Sequence, residues 1–320
     1  MTKKKEQEGN EEKPITEENQ EEIKPKTYDL RNTSELVELF QENDDDLYIN
    51  KCISNHLRSL AKSHEVDEYK IAFLYDDNTS INRYHSNQIY EGVSDSGETS
   101  NIFLVIHSGG GQIEPAYLIS KTCQRLKKEK FVVAIPRRAK SAATLISLGA
   151  DEIHMGLMSE LGPIDPQIGG YPALGLSNAL NTLADLACRF PDSADMFAKY
   201  LTDNLNIKDL GYFERVSESA SQYAERLLEG KKFKQPQTAQ NLADHFVNHY
   251  KDHGFVIDVD EAKSLLGANI IRQKTKEYDF SNEVYTLFDF VDFLYKYFKK
   301  KEFSFVGNIA SGLRTKELKK

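Results

Sequence analysis

The spacing of apolar residues divides the chain before any chemistry is considered. Positions 1–28 carry almost no large apolar residue and are rich in Glu, Lys, Gln and Asn. They bury too little surface to offset ordering entropy, so a disordered polar tail is expected. From about Ser34, apolar residues recur every three or four positions, as Leu36, Val37 and Leu39 and then Leu47, Ile49, Ile53, Leu57 and Leu60, which predicts two short helices within 29–68. YKIAFLYDD (69–77) predicts a strand, INRYHSNQIYEGV (81–93) a helix and SDSGETS (94–100) a polar turn.

Strands at 102–107, 131–135 and 152–155 then alternate with helical patterns at 112–128 and 141–149. Strands that are apolar throughout and separated by helices predict an α/β fold with a parallel sheet, with ligands expected at the carboxyl ends of the strands. A loop rich in proline and glycine follows at 159–175. Helical patterns then cover 179–190, 195–205, 210–230, 238–254 and 256–267, and an aromatic amphipathic one covers 285–298. The expected organisation is a tail (1–28), N-terminal helices (29–68), one domain over 69–270 and an amphipathic helical extension over 271–320.

Composition narrows the function classes. The 320 residues carry a net charge of −9, which argues against nucleic acid as a partner, because phosphate binding needs a basic face. Cys52, Cys123 and Cys188 are widely spaced without a CxxC pair, which fits a reducing cytoplasm. No apolar run is long enough for a transmembrane helix, and the N-terminus lacks the apolar core of a secretory signal. GxGxxG, GK[ST] and HExxH are absent, so no cofactor and no metal is expected.

The chemistry concentrates in two turns. IFLVIHSGGGQIEPAYLI (102–119) is a strand feeding a helix through three glycines, and FVVAIPRRAKSAATLISLGADEIHM (131–155) brings Ser141 to the head of a second helix. Both turns offer bare amides at helix starts, where negative charge is favoured. A serine there facing a glycine turn has what acyl transfer needs, a nucleophile and donors for an oxyanion. The competing reading is a tight turn beside a serine that merely caps its helix.

HSGGG, SAATLISLGADEI and GPIDPQ, in that order, resemble the serine dehydrogenase proteinase family of the Clp-protease/crotonase superfold, relatives of signal peptide peptidase A. That family's pattern is a strand ending in a Gly-Gly turn, a SGGTLIALAADEI-like nucleophile helix and a GPVDPQ-like loop. The similarity spans about residues 70–270, helped by AERLLEGKKF and DEAKSLLG. It implies a Clp/crotonase-like ββα superhelical fold with a parallel sheet and a largely α-helical C-terminal portion. It also implies Ser141 as nucleophile, with the amides of Gly110 and Ala142 as oxyanion hole.

The general base is less direct. The position matched to the histidine of the Clp proteolytic subunit is Asp165, and a carboxylate at its ordinary pKa is a poor acceptor for a serine proton, so a Ser-His-Asp triad is not expected and Asp165 is assigned to positioning its loop. NIKDLG (206–211) is similar to the lysine-bearing stretch of signal peptide peptidases, which implies Lys208 as base, with Lys199 and then Lys140 in reserve. A serving lysine must be desolvated or crowded by positive charge. His107 ends a strand beside the glycines, His154 lies within one, and His245, His249 and His253 recur every four residues and are expected to form one polar helix face.

The resulting expectation is a cytoplasmic, cofactor-independent serine endopeptidase acting on polypeptides as a homo-oligomer, with any unfolding left to a separate unfoldase or membrane-protein partner. Crotonase-type acyl-CoA chemistry, which uses the same glycine turn without Ser141, and a non-catalytic scaffold are the alternatives.

Overall fold

The structure, a computed structural model, describes residues 26–94, 100–168, 171–204, 207–233 and 235–318. Most of the expected tail (1–25) and of the SDSGETS turn (95–99) lies outside the described residues.

Two helices lead in, α1 (Thr33–Glu42) and α2 (Asp46–Ser63), each started by a side chain that accepts from its own first turn, Asn32 from the Ser34 amide and Asp45 from the Leu47 amide. Then come β1 (Lys70–Asp76), α3 (Arg83–Ser94), β2 (Ile102–Ser108), α4 (Ile113–Leu126), β3 (Phe131–Ile135), the short β4 (Arg138–Ala139), α5 (Ala142–Leu148) and β5 (Glu152–Met155). After β6 (Glu160–Leu161), a small hairpin of β7 (Gln167–Ile168) and β8 (Tyr171–Pro172) precedes three helices, α6 (Ala173–Arg189), α7 (Ala194–Asn204) and α8 (Ile207–Leu228). The chain continues through α9 (Ala239–Asp244), α10 (Val259–Leu266), β9 (Ile271–Arg272), α11 (Lys276–Leu294), β10 (Lys301–Asn308) and β11 (Leu313–Glu317).

The main sheet runs in the order β11-β10-β1-β2-β3-β5-β9. From β1 to β9 every neighbouring pair is parallel, whereas β10 joins β1 antiparallel and β11 joins β10 antiparallel. Both faces of the central strands are buried, which is why β2 is apolar from Ile102 through Ile106 and inaccessible along its whole length. Leu74, Leu104, Ile106 and Val133 pack with residues of α3, α4, α5 and α8 on one face. Phe73, Phe103, Val105 and Val132 meet α1, α2 and α11 on the other.

The C-terminal portion differs from the sequence reading. The helical pattern of 271–320 ends at Lys299, Lys300 turns the chain with φ 55°, and residues 301–308 and 313–317 are strands. Phe303 and Phe305 alternate onto the aromatic face against Phe73, Phe288 and Tyr295, so burial on the open edge of β1 decides for strand. The helix expected over 238–254 also ends early. α9 passes into a π-helical turn, His245–His249, and Tyr250 is extended (φ −82°, ψ 133°), so His253 leaves the helix altogether.

Candidate active site

β2 delivers the three glycines to the carboxyl edge of the sheet. Gly110 has φ +102°, a conformation that suits glycine, and its position is pinned by backbone bonds to Ile81, which donates to the Gly110 carbonyl and accepts from the Gln112 amide, both at 2.8 Å. Ile81 is itself held by the loop after β1. Buried Asp76 accepts from the amides of Asn78 (2.9 Å) and Thr79 (2.8 Å) and from His85 Nε2 (3.1 Å). The Asn82 amide donates to His85 Nδ1 at 3.2 Å, which leaves the imidazole proton on Nε2 to face Asp76.

Ser141 stands at the head of α5 with φ 50° and ψ −115°, and it makes no capping hydrogen bond. The capping reading of this serine is therefore excluded. A side chain at these angles is strained, as in the sharp strand-to-helix turns that expose catalytic serines. The glycine turn and the serine turn abut. A Cβ added to Gly110 would lie 2.6 Å from the Lys140 carbonyl oxygen, 2.8 Å from Ser141 Cβ and 3.2 Å from the Ala142 nitrogen. The Ala142 amide has no acceptor among the described residues, while that of Gly110 donates to the Ser108 hydroxyl at 3.2 Å.

These groups open onto a cleft of about 620 Å³ whose walls include Asp77, Gly110, Gln112, Glu114, Ser141, Gln167 and His253. Burial pushes the Asp77 carboxyl up, but the hydrogen bond and charge of His107 and the guanidinium of Arg138 outweigh it and hold the group below the usual carboxylate range.

His253 is the cleft residue that the sequence reading missed. Its Nδ1 lies 3.8 Å from Oδ2 of Asp165, which is 3% exposed. Neither His253 Nδ1 nor Asp165 Oδ1 has a hydrogen-bond partner among the described residues, whereas Asp165 Oδ2 accepts from Gln167 Nε2 at 3.1 Å. Backbone bonds bring the two segments together. The Ile164 amide donates to the Phe246 carbonyl (2.8 Å), and Leu161 and Ile257 exchange bonds of 2.9 and 3.1 Å. The available sequence signal was local: DHG at 252–254 reads as a turn that stops a helix.

Of the lysines, Lys208 is the second residue of α8, but its side chain lies outside what the structure describes. Lys199 is exposed on α7, and the Lys140 ammonium is bound to Glu160 at 2.8 Å. His107 faces the aromatic layer, stacked on Tyr75, and reaches the cleft only through Asp77; His154 is buried against Thr275. His245 and His249 stack on each other at 4.1 Å without sharing a face with His253, and among the described residues no group of side chains is arranged to hold a metal ion.

The profile of the ClpP-like SDH-type serine proteinases (SDH_protease) matches residues 79–306, which contain all of these groups except those of β1 and the loop directly after it. Two uncharacterized proteins of Methanocaldococcus jannaschii are similar to this chain. MJ0137 is 29% identical over 204 residues, covering 64% of this chain and 63% of its own. MJ1495 is 38% identical over 94 residues, covering 29% and 32%. The matches thus span less than two thirds of either relative's length. Among solved structures, a mutant of the 1510-N membrane-bound stomatin-specific protease is matched with a TM-score of 0.40 and 13% identity, over 64% of this chain and 80% of that one. At that score the superposition carries no argument, and the assignment rests on the family profile. The chain belongs to the ClpP-like SDH-type serine proteinases.

Proposed function

We propose that the protein hydrolyses polypeptides through an acyl-enzyme on Ser141, with His253 as general base and Asp165 as the carboxylate that orients it. The observation that carries this reading is the juxtaposition in one cleft of a strained, uncapped serine and a histidine whose Nδ1 lies 3.8 Å from a buried carboxylate. Two buried polar atoms without partners, His253 Nδ1 and Asp165 Oδ1, are costly at rest. They have reason to close into a hydrogen bond when substrate shuts the cleft, as catalytic contacts that are long in the free enzyme commonly do.

In the first step Ser141 Oγ attacks the scissile carbonyl while His253 takes its proton, and Asp165 stabilises the imidazolium without taking that proton itself. The oxyanion is received by the free Ala142 amide and by Gly110, whose long bond to Ser108 is exchanged for the substrate oxygen. The imidazolium then protonates the leaving amine, and water reverses the sequence on the ester. Three free cysteines support a cytoplasmic site of action. The exposed Leu157 and Met158 at one turn support self-association.

The test is active-site labelling with a fluorophosphonate, followed by peptide turnover, in Ser141→Ala, His253→Ala and Lys208→Met. Loss in the first two with activity retained in the third is the expected result. Full activity in His253→Ala together with loss in Lys208→Met transfers the base to Lys208, the residue implied by the KDLG resemblance. Turnover in purified Ser141→Ala removes the acyl-enzyme altogether.

A further inference from the structure

Lys140 precedes the nucleophile, yet its side chain runs away from Ser141 and ends among groups that belong to the other half of the site. An ammonium has three donors. Here they meet Glu160 Oε2 at 2.8 Å, the Phe255 carbonyl at 3.0 Å and the Leu161 carbonyl at 3.4 Å. The side chain is 14% exposed, so these bonds are made largely out of water. Its stem lies against Gly162 of the GPID loop, where an added Cβ would fall 2.5 Å from Lys140 Cδ. That glycine leaves the lysine its channel.

Phe255 follows His253 by two residues in a turn that is otherwise weakly tied. Phe255 and Val256 are exposed, and within the turn the Gly254 amide bonds Asp252 Oδ1 and the Phe255 amide bonds the Asp252 carbonyl. Among the described residues, the Lys140 ammonium makes the one hydrogen bond that reaches residues 251–256 from outside them.

We propose that Lys140 is a positioning residue, which fixes the His253 turn and the Asp165 loop relative to Ser141 by joining Phe255, Leu161 and Glu160 to the residue next to the nucleophile. The assignment rests on the reading of His253 as base. It gives the lysine no proton-transfer role, since its ammonium is fully engaged as donor, and it explains why Gly162 stands in the loop at the lysine's stem. A displacement of the base by about 1 Å costs on the order of 100-fold in rate, so a clamp at this point governs turnover without touching substrate.

The experiment is a double-mutant cycle on the rate of Ser141 acylation by a fluorophosphonate, which requires no knowledge of the natural substrate. Lys140→Met keeps the stem and removes the ammonium. The expected loss is about 10- to 100-fold in the native background and none in the slow residual labelling of the His253→Ala background, measured at raised probe concentration. Losses that multiply in the double variant show that Lys140 acts independently of His253 and overturn the proposal. Native-rate labelling of His253→Ala places the failure in the assignment of the base, and the role of Lys140 falls with it. If Lys140→Met does not fold, Gly162→Ala, which displaces the stem and leaves the charge, goes through the same cycle with the same two criteria.

Discussion

Ser141 offers a test in which stability and activity move in opposite directions. Its φ of 50° and ψ of −115° lie where glycine is at ease and any Cβ is strained, at a cost of about 1–3 kcal/mol. Replacement by glycine removes that strain and adds roughly 0.5–1 kcal/mol of unfolded-state backbone entropy. The net expectation for Ser141→Gly is a protein more stable by up to about 2.5 kcal/mol. Ser141→Ala keeps the Cβ and loses a hydroxyl that caps nothing, so its stability should stay within about 0.5 kcal/mol of the parent. Urea unfolding of the three proteins measures this directly, as shifts in midpoint at constant slope. Both variants should be inert to a fluorophosphonate. A glycine variant no more stable than the alanine variant would refute the claim that the fold strains this residue. An alanine variant about 1 kcal/mol weaker than the parent would restore the capping role that the geometry denies.

The remaining predictions concern the surroundings of that serine. Gly110→Ala sets a Cβ between Ser141 Cβ and the Ala142 amide, at 2.8 and 3.2 Å, and should lower kcat by about 100-fold or more with a smaller change in KM; equal loss in both constants would make the turn a binding feature only. Asp165→Asn retains size but cannot stabilise an imidazolium, so a large loss of kcat is expected in a folded protein, and near-normal turnover would return Asp165 to loop positioning. Burial lowers Lys231 to about 8, with its ammonium against the Ala150 carbonyl, whereas a free lysine titrates near 10.5. The unfolded chain therefore binds the extra proton between these values, and stability should rise with pH across about 8 to 10.5 with a slope of up to about 1.4 kcal/mol per unit. Denaturation at several pH values checks it, and a rise unchanged in Lys231→Met would show that another group is responsible.

Much of this protein was legible because the relevant physics is local. The central strands are largely apolar, so β3 and β5 stand where sequence reading put them, at 131–135 and 152–155, and β2, at 102–108, runs one residue past the expected 102–107. The glycine turn and Ser141 were likewise visible, because both signals are carried by adjacent residues at a strand end. The C-terminal strands were obscured by the aromatic helix before them. FSFV alternates only weakly, and it was the vacant hydrogen-bonding edge of β1, far away in sequence, that made it a strand.

The proposed base, His253, belongs wholly to the second kind of information. In sequence, His245, His249 and His253 have helical spacing, and nothing in that spacing announces the π-helical turn or the extended Tyr250 that separates the last from the other two. Asp165 and His253 meet because the Ile164 amide bonds the Phe246 carbonyl and Leu161 pairs with Ile257. Residue types and local spacing thus determined the strands, the turns and the candidate nucleophile with the amides proposed as its oxyanion donors. Only the tertiary structure decided what shares a cleft with Ser141, because backbone hydrogen bonds between segments remote in the chain leave no periodicity in either one.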